Sequence, residues 1–111
     1  MKAGSAIRRP VQTVTLDMSQ GGGVTTTTYL TLLAKASNVC ACSAIEIFNP
    51  SGSPMILAIG DAGSEKNMNY TILPGGTTGI LLAEIASGVR LSLKAYDTAV
   101  ASGRFVLNML A

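Results

Sequence analysis

Apolar and polar residues alternate with a period of two through most of the second half of this chain. In Val89-Arg90-Leu91-Ser92-Leu93-Lys94-Ala95-Tyr96, the apolar set Val89, Leu91, Leu93 and Ala95 falls on one side and Arg90, Ser92 and Lys94 on the other. That is the pattern of a strand with one face in a core. Arg104 to Leu110 repeats it, with Phe105, Leu107 and Met109 on one face and Arg104, Val106 and Asn108 on the opposite one, which predicts a terminal strand. Ser43, Ile45 and Ile47 alternate with Ala44, Glu46 and Phe48, and Asn49-Pro50-Ser51-Gly52-Ser53-Pro54 then supplies residues suited to tight-turn dihedrals. A hairpin is expected there, with Met55-Ile56-Leu57-Ala58-Ile59 as its second arm and Gly60 to Glu65 closing it. This arm is apolar on both faces, as in a strand covered on each side, or covered on one side by a partner chain.

Met68, Tyr70 and Ile72 alternate with Asn69, Thr71 and Leu73, and a second turn signal, Pro74-Gly75-Gly76-Thr77-Thr78-Gly79, leads into Ile80-Leu81-Leu82-Ala83-Glu84-Ile85. Near the N-terminus, Thr13 to Met18 is a further alternating strand and Gly21-Gly22-Gly23 reads as a flexible link. Thr25 to Ala34 reads as a strand because its β-branched residues are poor helix formers, with a short helix over Leu30 to Ala36 as the alternative. Short segments separated by Gly- and Pro-rich turns predict an all-β fold. The expectation is a single antiparallel β-sandwich, jelly-roll-like, of about eight strands. Met1 to Arg9 has no apolar periodicity, so residues 1–10 are expected to form an extended arm and residues 11–111 the sandwich domain.

Composition changes this picture in one respect. Only 13% of the 111 residues are charged, about half the usual share of roughly 25%, while 48% are hydrophobic and the net charge is +2. Such a surface gives a lone molecule little colloidal protection, so part of it is expected to be covered by neighbours. No basic run extends beyond Arg8-Arg9, which argues against nucleic acid as a partner. Nothing reads as a signal peptide. The charge-poor run Asn67 to Ala83 is broken by Pro74, Gly75, Gly76 and Gly79, so no membrane helix and a soluble polypeptide are expected.

Candidate chemistry is sparse. The chain has no His, which removes the commonest acid–base residue and most hydrolase constellations. Ser87-Gly88 and Ser102-Gly103 read as turns, since no Gly-x-Ser-x-Gly motif occurs. Glu46 and Glu84 could face one another across a sheet as a carboxylate pair, but read more simply as solvent-facing strand residues. Asp61 to Asn67 lacks the acidic spacing of an EF-hand loop, and Gly21 to Gly23 lacks the Lys-Ser or Lys-Thr of a phosphate loop. Cys40 and Cys42 are expected to be reduced, small and mostly buried: their spacing suits no relaxed disulfide, and zinc would need further ligands. No catalytic, cofactor or metal residue is therefore assigned, and the chain is read as a non-enzyme. The residues expected to meet a partner are Ile7, Arg8, Arg9 and Pro10 of the arm, with Met55, Ile56 and Leu57 of the doubly apolar strand; the arm could equally be a solvated tail.

Ile45 to Gly60, Ile72 to Gly76, Gly88 to Ala95 and Ala101 to Asn108, about the last two thirds of the chain, resemble small β-sandwich structural proteins of tailed bacteriophage particles. The likeness rests on a strand ending in Asn-Pro, an apolar strand after the turn, a Leu-Pro-Gly-Gly turn, and two late strands joined through Ala-Ser-Gly. It implies a capsid cement or decoration subunit on the virion surface, made in the host bacterial cytoplasm. The implied partners are the major capsid protein and further copies of the chain, with a trimer favoured. The alternative it leaves open is a head-fibre or tail module that binds carbohydrate or a host surface, for which Tyr29, Tyr70 and Tyr96 would supply the rings.

Overall fold

The computed structural model describes residues 8–60, 69–73 and 75–111. Among them are eight strands: β1 (Pro10–Asp17), β2 (Leu30–Leu33), β3 (Cys42–Asn49), β4 (Met55–Ile59), β5 (Asn69–Leu73), β6 (Gly76–Ile85), β7 (Leu91–Ala95) and β8 (Arg104–Leu110). They form two four-stranded sheets in the orders β1-β8-β3-β6 and β2-β7-β4-β5, with every adjacent pair antiparallel. This is the jelly-roll winding of an antiparallel β-sandwich. The chain changes sheet at each step between consecutive described strands except β4 to β5.

The period-two pattern decides which side chains meet between the sheets. Across the first sheet Val14, Leu107 and Ile47 share one row, with Gln12, Met109 and Ile45 in the next. Leu30, Leu93 and Leu57 form the matching row of the second sheet. Phe105, Ile45, Ile47, Met55, Leu57, Leu91, Leu93, Leu107 and Met109 are all fully buried in this layer. Removing a side chain of this size from water contributes about 1.5–3 kcal/mol, which makes the layer the main source of stability.

The hairpin expected between Ser43–Phe48 and Met55–Ile59 does not form. β3 and β4 lie in different sheets, and Asn49 to Pro54 is a corner that carries the chain from one to the other. Buried Asn49 organises that corner: its Oδ1 accepts from the Ser51 N–H (3.0 Å) and Ser51 Oγ (2.7 Å), and its Nδ2 donates to the Ser53 carbonyl (2.9 Å). The Ser51 carbonyl accepts from Gly76 N–H at 3.2 Å, and the Pro54 carbonyl from Tyr96 N–H at 3.1 Å, so the corner is tied to both sheets. Turn-forming residues dictate that a chain reverses; the cross-sheet apolar rows dictate which sheet receives it.

Three further departures have local causes. The Thr25–Ala34 strand contracts to Leu30–Leu33, because Thr25 Oγ1 accepts the Thr28 N–H at 3.2 Å and bends the chain before the ladder begins. Lys35–Ser37 is a single 3-10 turn and not the end of a helix. Gly21–Gly23 is a built turn in place of a loose link: all three have positive φ, and a Cβ on Gly23 would stand 2.8 Å from the Val100 carbonyl oxygen. The chain there presses against the Val24–Val100 bridge, which only glycine permits. Pro10 belongs to β1, and the Arg9 and Ala111 backbones exchange hydrogen bonds of 3.0 and 2.9 Å, so the ladder continues to Arg9.

Candidate partner-facing surface

The outward face of the β1-β8-β3-β6 sheet is built from residues of opposite parity to the core. Its rows run Thr13–Asn108–Glu46–Ile80 and Thr15–Val106–Phe48, with Ala44 between Leu110 and Leu82 in a third. A polar line crosses it, in which Thr13 Oγ1 donates to Asn108 Oδ1 (2.9 Å) and Asn108 Nδ2 donates to Glu46 Oε1 (3.2 Å). These bonds fix the orientation of the Asn108 amide. Phe48 is 47% exposed, Ile80 53% and Leu82 79%. Single exposed apolar residues are ordinary, but three on neighbouring strands of one sheet face form a patch of the kind that marks a protein contact.

β6 is also an edge strand among the described strands. Its pairing with β3 slips twice, between Cys42 and Ala44 and between Glu46 and Phe48, each time by one additional β6 residue. Such bulges twist an edge away from straight strand-to-strand addition. The edge is thereby blunted while the face remains available.

The residues expected to meet a partner are not brought together. Ile7 lies outside the described residues. Arg8, Arg9 and Pro10 are exposed at the start of β1, and Arg8 Nη1 donates to Ser43 Oγ of β3 at 2.8 Å, across the end of β8. Met55 and Leu57 are fully buried core residues and not a partner surface, and Ile56 stands half-buried on the other side of β4, in the opposite sheet. The doubly apolar look of Met55–Ile59 arises because Ala58, paired with Ser92 and pointing away from the core, is buried too. Ile80 to Ala83 is equally apolar on both faces, and applying the same reading to it would have found the exposed patch.

Glu46 and Glu84 do not form a facing carboxylate pair: Glu46 stands opposite Ile80, four residues along β6 from Glu84, and both are exposed. The Asp61–Asn67 loop lies outside the described residues. On the second sheet, Lys94 Nζ sits 4.6 Å from the Tyr29 ring centroid, and Arg90 donates from Nε (3.1 Å) and Nη2 (2.8 Å) to Thr31 Oγ1. Tyr96, just past β7, is exposed. Tyr70 falls in β5, and its side chain lies outside the described set.

Both cysteines are free; Cys40 is half-buried and precedes β3, and Cys42 is buried at its first position. Burial pushes the Cys42 thiol above its ordinary pKa, opposed by backbone hydrogen bonding. A raised value in the folded state favours the neutral thiol, so this contribution to stability is complete below the unfolded pKa and lost as pH rises through the folded one. Alkylation at pH 8 is expected to label Cys40 and spare Cys42 until the chain is denatured. Equal rates at the two sites in the folded protein would contradict this placement.

Comparison of the chain with protein-family models, with curated proteins and with solved structures returns no match.

Proposed function

We propose that this chain is a non-enzymatic structural subunit of a virus particle, a capsid cement or decoration protein that sits on the shell across junctions of the major capsid protein. The observation that carries the reading is the solvent-facing patch of Phe48, Ile80 and Leu82 on a domain of which only 13% is charged. A free protein gains nothing from such a face, whereas a subunit repeated on a shell gains roughly 25 cal/mol for each Å² of apolar area it covers, less the cost of association. Many weak contacts held together by a lattice then act as one strong one. Arg8 and Arg9 at the start of β1 supply positive charge suited to an acidic neighbour. The absence of His from the whole chain supports the non-enzymatic part of the reading.

A second reading, a head-fibre or tail module that binds carbohydrate, is favoured by the exposed Tyr96 ring and by the Lys94–Tyr29 contact on the same sheet. One experiment separates the two. Shells depleted of this chain should disrupt at lower temperature and recover when the purified chain is added back, with Tyr96→Ala as effective as the native chain. Shells indifferent to the chain would overturn the cement reading, and glycan binding abolished by Tyr96→Ala would establish the alternative.

A further inference from the structure

The four sheet edges are not equally protected against pairing with another strand. β2 and β5 are only four and five residues long, and β6 is bent by its two bulges. β1 is the exception: from Gln12 to Asp17 it keeps an unbroken register with β8, carries no Lys, Arg or Pro, and ends its sheet among the described strands. The direction of its backbone groups follows from its two ends. Arg9 exchanges backbone hydrogen bonds with Ala111, and the Met18 N–H donates to the Gly103 carbonyl at 2.8 Å, so the even-numbered residues from Gln12 to Met18 turn their backbone groups toward β8. The N–H and C=O groups of Thr13, Thr15 and Asp17 then point away from β8, and all three residues are exposed. We infer that this edge pairs with the same edge of a second copy of the chain, antiparallel about a two-fold axis that passes between the two Thr15 residues and joins the two β1-β8-β3-β6 sheets into one.

A two-fold axis normal to a sheet sets a strand antiparallel to its own copy, so the backbone supplies the self-complementarity that an isologous contact needs. In this register Thr15 opposes its counterpart and Thr13 opposes Asp17 of the other copy, each pair exchanging two hydrogen bonds. Registers centred on Thr13 or Val14 bring the irregularity between Pro10 and Gln12 into the ladder, and Pro10 has no N–H to donate. Pairing about Thr15 avoids both. On the inward side it sets Val14 against Leu16 of the other copy; both are core residues, so the apolar layer runs on across the junction. On the outward side it places the two Asp17 carboxylates at opposite ends of the paired segment. Asp17 Oδ1 and Thr13 Oγ1 already have partners within their own copy, Ser19 and Asn108, so neither side chain needs the new neighbour. β1 and β6 border opposite sides of the sheet, so the pairing leaves Phe48, Ile80 and Leu82 open to a shell.

This pairing goes beyond the shell-binding reading and does not depend on it, and its two-fold symmetry departs from the trimer that the phage resemblance implies. Sedimentation equilibrium of the full chain is expected to show a monomer–dimer equilibrium with a Kd of about 10–100 μM, because one strand pair covers less area than a standard interface. Thr15→Pro removes an N–H that β8 does not use, so it should keep the native far-ultraviolet circular dichroism and dimerise about tenfold more weakly or worse. T15K and T15E keep every backbone group but set like charges opposite each other. Each alone should dimerise about threefold to tenfold more weakly, and an equimolar mixture should pair at least as readily as the native chain, because Lys then faces Glu across the axis. Should Thr15→Pro lose the native spectrum, the two charge variants decide. A native chain that stays monomeric at about 1 mM or forms a trimer, a folded Thr15→Pro or a charge variant that self-associates like the native chain, or a mixture that stays monomeric would each overturn the pairing. A monomer that still binds shells would leave the cement reading standing, and a dimer that ignores shells would do the reverse.

Discussion

Phe105→Ala is expected to destabilise the domain by about 3–5 kcal/mol, a large share of the roughly 5–15 kcal/mol available to a domain of this size. Phe105 is fully buried on β8, which is flanked by β1 and β3, and it lies opposite Leu16 in the β1 register. Its loss removes one of the two phenylalanines of the chain and leaves a cavity lined by residues that the pleat holds in place. Phe48→Ala provides the internal comparison, because the same atoms are deleted from a half-exposed site on the solvent side of the neighbouring strand. It should cost no more than about 1 kcal/mol. Urea titration of both variants checks the pair, and similar losses would mean that the two faces of the sheet had been assigned the wrong way round.

Gly75→Ala should cost about 1–3 kcal/mol in the same assay, although it adds a single methyl group at a half-exposed position. A Cβ on Gly75 would stand 2.6 Å from the Gly52 carbonyl carbon, 2.7 Å from its oxygen and 3.0 Å from the Ser51 oxygen. All three atoms are backbone, so relief requires the Asn49–Pro54 corner to shift. That corner is held by the hydrogen bonds of buried Asn49. Gly52→Ala, with nothing within 4 Å of its Cβ, should stay within about 0.5 kcal/mol of the native protein. A neutral Gly75→Ala would show that the corner and the β5–β6 link do not touch in this way.

The strands were legible in the sequence where one face is buried and the other wet. Arg104–Leu110 is readable to the residue, and Leu91, Leu93 and Ala95 fall on the core side as their spacing requires. The partition of strands between sheets was not legible, because a corner and a hairpin use the same Asn, Pro, Gly and Ser residues and differ only in the distant rows that receive the chain. The turn at Gly21–Gly23 was misread for a related reason: its last glycine, Gly23, answers to the Val100 backbone, far along the chain. For the partner-facing surface, Arg8, Arg9 and Pro10 were expected in an extended arm, whereas Arg9 and Pro10 continue the β1 ladder; Met55 and Leu57 were expected to meet a partner, whereas the core contains them. A strand apolar on both faces carries no phase, so its composition alone cannot say which face is inside. Phe48 had been set on the same face as Glu46, and that shared phase was the signal that one apolar ring stands in water.

The proposed function requires that protein cover Phe48 and Leu82 when the molecule is at work. Hydroxyl-radical footprinting with mass spectrometry reads this directly, by comparing the dilute free chain with the chain assembled on its particle. Oxidation of Phe48 and Leu82 should be rapid in the free chain and at least severalfold slower in the assembled one, with Tyr96 reactive in both. Equal oxidation of Phe48 and Leu82 in the two states would contradict the account.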